Sequence, residues 1–133
     1  MNTYHKTTLS NEQIENGKNK APLQLKGHFE HNDCIRMAYE WLDAQTKTKT
    51  QRMTYNPLKH IIEKWCGRYV SQSDVEVAAW LHPDIFGTYP NFNLSSRLTL
   101  PSLKRLSDIS EAGNHNPIGA KYNSDTYKTE EKF

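Results

Sequence analysis

The stretch VSQSDVEVAAWLHPDIFGTYPNFNLSSRLTLPSLKRL, Val70–Leu106, decides the architecture. Ser71 to Asp74 offers side-chain oxygens that can take the orphan N–H groups of a helix start, with acids near its positive end. Val75, Ala78, Ala79 and His82 then share one face, which Val77, Trp80 and Leu81 widen. Pro83 cannot continue a helix, so the spacing predicts one over 73–82. The ten residues from Pro83 to Phe92 form a loop with aromatic anchors at Phe86, Tyr89 and Phe92. Asn93 can cap a short second helix over 93–99, with Leu94 and Leu98 inward and Ser95, Ser96 and Arg97 outward. Leu98-Thr-Leu100 also reads as extended. Pro101 can open a last helix, carrying Leu103, Leu106 and Ile109 at spacings of three.

Working outward toward the N-terminus, Arg68-Tyr-Val70 is a very short strand candidate. Leu58, Ile61, Ile62 and Trp65 stand at i, i+3, i+4 and i+7, the pattern of one buried helix face. Asn56-Pro57 starts that helix as N-cap and first residue, and Gly67 can end it in the left-handed conformation. Thr46 to Thr54 has no helical stripe and is a basic loop or β-ribbon. Ile35, Ala38, Tyr39 and Leu42, widened by Met37 and Trp41, predict a helix over 33–45, capped from His31-Asn-Asp33. Leu23 to Phe29 alternates apolar and polar residues, a short strand signal that Gly27 weakens.

Hydrophobic residues make up 35% of the 133, below the usual share, and the deficit lies at the ends. Residues 1–22 and 111–133 are rich in Asn, Lys, Thr, Ser and Glu. Such composition is expected to leave them as a flexible polar N-terminal arm and a flexible polar C-terminal tail, around a single helical domain over 23–110. Two cysteines, Cys34 and Cys66, are too few for a disulfide framework and are expected to be free and buried. No signal peptide is recognised and no apolar run approaches the ~18 residues needed to span a bilayer, so the expected location is the cytoplasm, without membrane partners. The net charge is only +2, but it is unevenly spread. Lys47 to Arg68 carries six basic residues (Lys47, Lys49, Arg52, Lys59, Lys64, Arg68) and one acid, Glu63, whereas Ser71 to Asp84 carries three acids and no Lys or Arg.

The fold class expected is mainly α, a small helical domain with a helix-turn-helix or winged-helix-like arrangement and room for a short β-ribbon. The order strand-like 68–70, helix, helix, extended 98–100 resembles a winged-helix domain over about 40 residues. That resemblance implies a non-enzymatic DNA-binding regulator or accessory protein. Asn93, Ser95, Ser96 and Arg97 would then read base edges, since Asn matches adenine, Arg matches guanine and Ser either. Lys104, Arg105 and the loop residues Lys47, Lys49 and Arg52 would hold phosphates. Against it stand the length of the 83–92 connection, where the tight motif uses three or four residues, and the acids Asp74 and Glu76 on the first helix.

A different class is a protein-binding inhibitor or adaptor that uses Phe86, Tyr89 and Phe92 with a basic surface, because aromatic side chains dominate interface hot spots. The Asn/Lys/Thr-rich ends resemble small phage- or plasmid-borne accessory proteins in composition. The partner expected is thus DNA or a protein, and a homodimer is compatible with either. His28-x-x-His31-x-x-Cys34 has a metal-like spacing, but no CxxC pair accompanies it, and neither metal nor cofactor is expected. No catalytic motif stands out, and no enzyme activity is expected. His82 and Asp84, an acid–base pair in principle, flank a helix-ending Pro83. Asn114-His-Asn-Pro117 falls in the expected tail, where no pocket is expected.

Overall fold

The computed structural model describes residues 9–54 and 56–133. It is mainly helical, with four α-helices among the described residues: α1 (Asn11–Lys20), α2 (Asn32–Asp43), α3 (Leu58–Cys66) and α4 (Gln72–Leu81). Short strands follow as β1 (Gly87–Thr88) with β2 (Asn91–Phe92), antiparallel, and β3 (Thr99–Leu100) with β4 (Thr129–Glu130), parallel. A single 3₁₀ turn covers Leu103–Leu106.

The three helices expected from apolar spacing form close to their predicted ends, with two differences at the caps. His31, not a carboxylate, caps α2: its Nδ1 accepts from the Asp33 N–H at 2.9 Å. Pro57 occupies the cap of α3 without a side-chain bond, and Asn56 caps nothing. Gly67 ends α3 at φ 69°, as its freedom from a Cβ allows.

α4 lies at the centre. It packs most extensively on α2 and also on α1. Ser73 to Ala79 are all buried, so this helix is enclosed around most of its circumference. Residues 23–29, expected as a strand, are not one. Their backbone runs across the N-terminal half of α4, whose side chains take its polar groups. Gln24 N–H donates to Glu76 Oε2 at 3.1 Å and His28 N–H to Ser73 Oγ at 3.2 Å, while Ser71 Oγ donates to the His28 carbonyl at 2.6 Å. With donors and acceptors satisfied this way, no partner strand is needed.

Residues 1–8 of the expected N-terminal arm lie outside the described residues; the rest of the arm and the expected C-terminal tail carry local structure and contacts. Ser10 and Gln13 form a reciprocal capping box at the start of α1. Leu9 and Ile14, flanking that box, are both buried, as in a hydrophobic staple. Gly17 sits so close to α4 that an added Cβ would lie 2.9 Å from Val77 Cγ1.

The 111–133 segment packs because α3 needs it. A helix leaves its last carbonyls unsatisfied. Here Gly119 N–H donates to Trp65 O, Gly113 N–H to Cys66 O, and His115 and Asn116 N–H groups to Gly67 O, at 2.7–3.0 Å. Farther along, Trp41 Nε1 donates to the Tyr127 hydroxyl at 2.9 Å, and β4 pairs with β3.

The helix expected over 93–99 does not form, nor does the last helix beyond the single turn at Leu103–Leu106. Thr46 to Arg52 lies alongside this region: Ser95 N–H donates to Thr46 O, Thr48 N–H to Asn93 O and Arg52 N–H to Phe92 O. The Gln45 side chain then brackets Thr99, donating to its carbonyl and accepting from its N–H, both at 2.9 Å. Of these groups, Asn93 O and Thr99 N–H are ones such a helix would bond internally, and Asn93-Leu-Ser-Ser has little helical preference to resist their loss. The extended alternative for 98–100 is what the chain adopts.

No helix among the described residues is long and apolar enough to cross a membrane.

Candidate binding groove

Of the expected base readers, Asn93 is withdrawn from solvent. It is 2% exposed. Its Oδ1 accepts from Phe86 N–H at 2.8 Å, and its Nδ2 donates to Thr48 O at 3.1 Å and Asp84 O at 3.0 Å. It is a buried tie between three segments, as a side-chain amide with one acceptor and two donors can be. Ser96 and Arg97 are exposed and Ser95 is half-buried, on irregular backbone rather than on a recognition helix.

The expected phosphate holders divide. Lys104, Lys49 and Arg52 are exposed. Lys47 instead folds back over the end of α2, its Nζ donating to the carbonyls of Leu42, Asp43 and Gln45 at 2.8–3.1 Å. A cation there suits the negative end of the helix. Arg105 is buried in an ion-pair network with Glu131 at 2.7 Å and with Glu40 and Asp43 at 3.0 Å. Burial works against its charge, but Glu131 and Asp43 outweigh that and hold the guanidinium above its usual range. Neither Lys47 nor Arg105 reaches outward for phosphate. One fragment of the expected grouping survives, since Arg52, Ser95 and Ser96 border a recess of about 80 Å³.

The metal-like spacing does not converge. His28 is exposed beside Glu30, His31 caps α2 and Cys34 is buried with Sγ toward the Tyr69 carbonyl. Among the described residues, no three His, Cys, Asp or Glu side chains are grouped to hold a metal ion. Burial pushes the Cys34 and Cys66 thiols up to about 12, which leaves neither as a ready thiolate. His82 meets Asp43 rather than the Asp84 carboxylate: Nε2 lies 2.8 Å from Asp43 Oδ1, and Nδ1 accepts the Asp84 backbone N–H at 3.1 Å. That His82 bond, helped by Arg105 against the effect of burial, lowers Asp43 to about 2. The expected absence of a pocket near Asn114–Pro117 is overturned. His115, Asn116 and Pro117 face His60, Tyr69 and Tyr122 across a groove of about 600 Å³.

The aromatic loop builds a different site. Phe92 is buried, Tyr89 is half-buried with its hydroxyl accepting the Lys59 N–H at 3.3 Å, and Phe86 is exposed. Tyr89 and Phe92 meet edge to face, 6.1 Å between centroids. Two of the three anchors thus pin the loop, and the third faces solvent. Trp80, expected on the buried face of α4, is instead 42% exposed, beside Phe86 at 50%. Together with Leu23, Gln24, Ile85 and the β1 backbone they border an open groove of about 400 Å³. Gln24 Nε2 donates to the Tyr89 carbonyl at 2.8 Å, tying one side of the groove to the other.

Glu76 lines this groove and was not singled out as a binding residue from sequence. It is 7% exposed. Its Oε2 accepts the Gln24 N–H, and its Oε1 is buried with no hydrogen-bond partner among the described residues. The sequence signal available was the run Tyr69 to Ser96, which contains Asp74, Glu76 and Asp84 but no Lys or Arg. The chain matches no protein-family model, and no curated protein or solved structure is found to be similar to it.

Proposed function

We propose that this chain is a small non-enzymatic protein-binding module whose binding face is the groove between Trp80 and the Phe86 loop. The observation that carries the reading is the pairing of two large exposed aromatic side chains, Trp80 and Phe86, beside an apolar recess of about 400 Å³. Aromatic side chains left in water at a concave site favour burial against a partner, at roughly 25 cal/mol per Å² of apolar surface. The walls are anchored: Tyr89 and Phe92 are held by α3 and the core, and Asn93 bonds both sides of the loop. A groove so held loses little entropy on binding. β1 adds a short edge of exposed backbone at Gly87 and Thr88, suited to an extended peptide segment.

DNA binding rests on less. Asn93 and Arg105 are buried and Lys47 is tied to α2, leaving Lys49, Arg52, Arg97 and Lys104 as exposed cations among the nine residues expected at DNA. Selection of a displayed random-peptide library against the folded chain, followed by binding measurements on Trp80→Ser and Phe86→Ser, tests the proposal. Both side chains are exposed, so the fold is expected to survive, which circular dichroism checks. The expected outcome is groove-dependent binders whose affinity falls at least tenfold in each variant. Salt-dependent DNA binding that is lost in Arg52→Ala and Arg97→Ala, with no groove-dependent peptide, would overturn it in favour of a nucleic-acid partner.

A further inference from the structure

We infer that the groove recognises a lysine side chain on an extended segment of its protein partner, with the lysine ammonium bound by Glu76 and its methylene stem laid along Trp80 and Phe86. This rests on the groove being the binding face.

The starting observation is the state of the Glu76 carboxyl group. It is more than nine-tenths buried, yet Oε1 has no partner among the described residues. A buried oxygen left unsatisfied is costly, and native chains keep few of them without a use. The other such oxygen here, Asp74 Oδ1, belongs to a carboxyl that caps α4 and is not among the groove's lining residues. Glu76 differs because its side chain lines an open recess, so a donor arriving there would complete Oε1 once the carboxyl, now buried, turns toward the groove.

Glu76 is the one charged side chain among the described residues that line the groove, and an acid standing alone there favours a cation. No Lys or Arg occurs from Tyr69 to Ser96, the stretch that supplies Glu76, Trp80 and the whole aromatic loop. Lys59, on the neighbouring helix, is engaged elsewhere: its Nζ pairs with Glu63 at 2.9 Å and stands 4.4 Å from the Tyr69 ring centroid. Aromatic faces beside the acid favour the same sign, since ring quadrupoles attract cations.

Geometry then distinguishes ammonium from guanidinium. Arginine binds carboxylates best through two parallel bonds to both oxygens. Here Oε2 is already held by the Gln24 N–H at 3.1 Å, so one oxygen remains. A compact ammonium with freely rotating donors satisfies one oxygen, and its four-carbon stem covers apolar surface on the way in. A trimethylated lysine fits the aromatic walls but has no N–H to give Oε1.

The test uses one extended apolar hexapeptide carrying, at a central position, lysine, norleucine, arginine or trimethyl-lysine. Binding is followed on the full chain by the Trp80 indole signal and the Gly87 and Thr88 amide signals in NMR titrations. The expected result is that the lysine peptide binds at least tenfold more tightly than the norleucine peptide and more tightly than the arginine and trimethyl-lysine peptides. Glu76→Gln, which keeps an oxygen for the Gln24 N–H, removes the preference. Equal binding of lysine and norleucine peptides in the groove overturns the lysine inference while leaving the groove reading intact. Binding of none of the four at the groove signals overturns both. Because the norleucine comparison changes only the peptide, it decides the matter even where Glu76→Gln fails to fold.

Discussion

Truncating Asn93 separates the two roles open to it most sharply. A side chain that reads base edges must stand in solvent when no DNA is bound, and surface truncations away from special features change stability by no more than about 0.5 kcal/mol. In the structure Asn93 is 2% exposed and holds three backbone groups: the Phe86 N–H at 2.8 Å, Thr48 O at 3.1 Å and Asp84 O at 3.0 Å. Asn93→Ala leaves one donor and two acceptors, all from part-buried bonds, facing a methyl group. Each orphaned group costs about 1–3 kcal/mol, the carbonyls at the lower end because each has two lone pairs. The sum expected is about 3–5 kcal/mol, a large part of the ~5–15 kcal/mol that holds a domain folded. Urea unfolding followed by circular dichroism measures it. At an m value of about 1.5 kcal/mol/M, the midpoint should fall by roughly 2–3 M. Asn93→Asp keeps the acceptor but loses both donors and sets a charge against two carbonyls, so it should be at least as damaging at pH 7. Arg97→Ala, an exposed neighbour, is the control and should leave the midpoint in place. An Asn93→Ala midpoint within about 0.3 M of the parent, with m unchanged, would refute the reasoning.

Three further outcomes are expected. Arg105→Met removes the cation beside Glu40, whose side chain is 3% exposed; losing one partner of a buried pair should cost about 3–5 kcal/mol in the same unfolding assay, where a surface phosphate contact would cost almost nothing. Acid should destabilise through Asp43, whose carboxyl is lowered to about 2 first by the His82 bond and then by Arg105. A folded-state value below the unfolded one gives stability that is full above about pH 4–5 and lost as pH falls through about 2. Because Asp43 is 37% exposed, screening reduces its share to about 1 kcal/mol. Asp74, raised by burial, acts in the opposite sense. Asp43→Asn should therefore flatten the fall in urea midpoint between pH 5 and pH 2.5, and an unchanged profile would count against the assignment. Finally, Cys34 and Cys66 should react with a disulfide reagent only as fast as the chain opens, because both are 0% exposed; two thiols titrating within seconds in the native state would contradict their burial.

The groove shows why its residues were only partly legible. Phe86 stood out as an aromatic in a loop, and it is exposed. Trp80 was hidden by periodicity: it follows Ala79 on an apolar helix and reads as core, yet it stands at the open groove that Pro22, Leu23 and Gln24 border and is 42% exposed. Glu76 counted only as an acid on the same helix that stands against DNA binding. Only the backbone of Gln24, crossing α4, shows that half of its carboxylate is buried and satisfied and the other half is not.

By itself, the sequence determined the helices whose signals are local. Apolar residues at 3.6-residue spacing specify α2, α3 and α4, with a cap before α2 and α4 and a breaker after α3 and α4, because those signals act within one element. Even α1 was written locally, in Ser10-x-x-Gln13 with Leu9 and Ile14, but its polar composition outweighed that signal. Tertiary structure alone decided the fate of segments whose hydrogen bonds cross the chain. Asn93 to Leu98 is irregular because Thr46, Thr48 and the C-terminal strand take its backbone groups, and 113–119 is ordered because the end of α3 has carbonyls to satisfy. Where a segment's donors and acceptors find partners dozens of residues away, neither its composition nor its periodicity carries the answer.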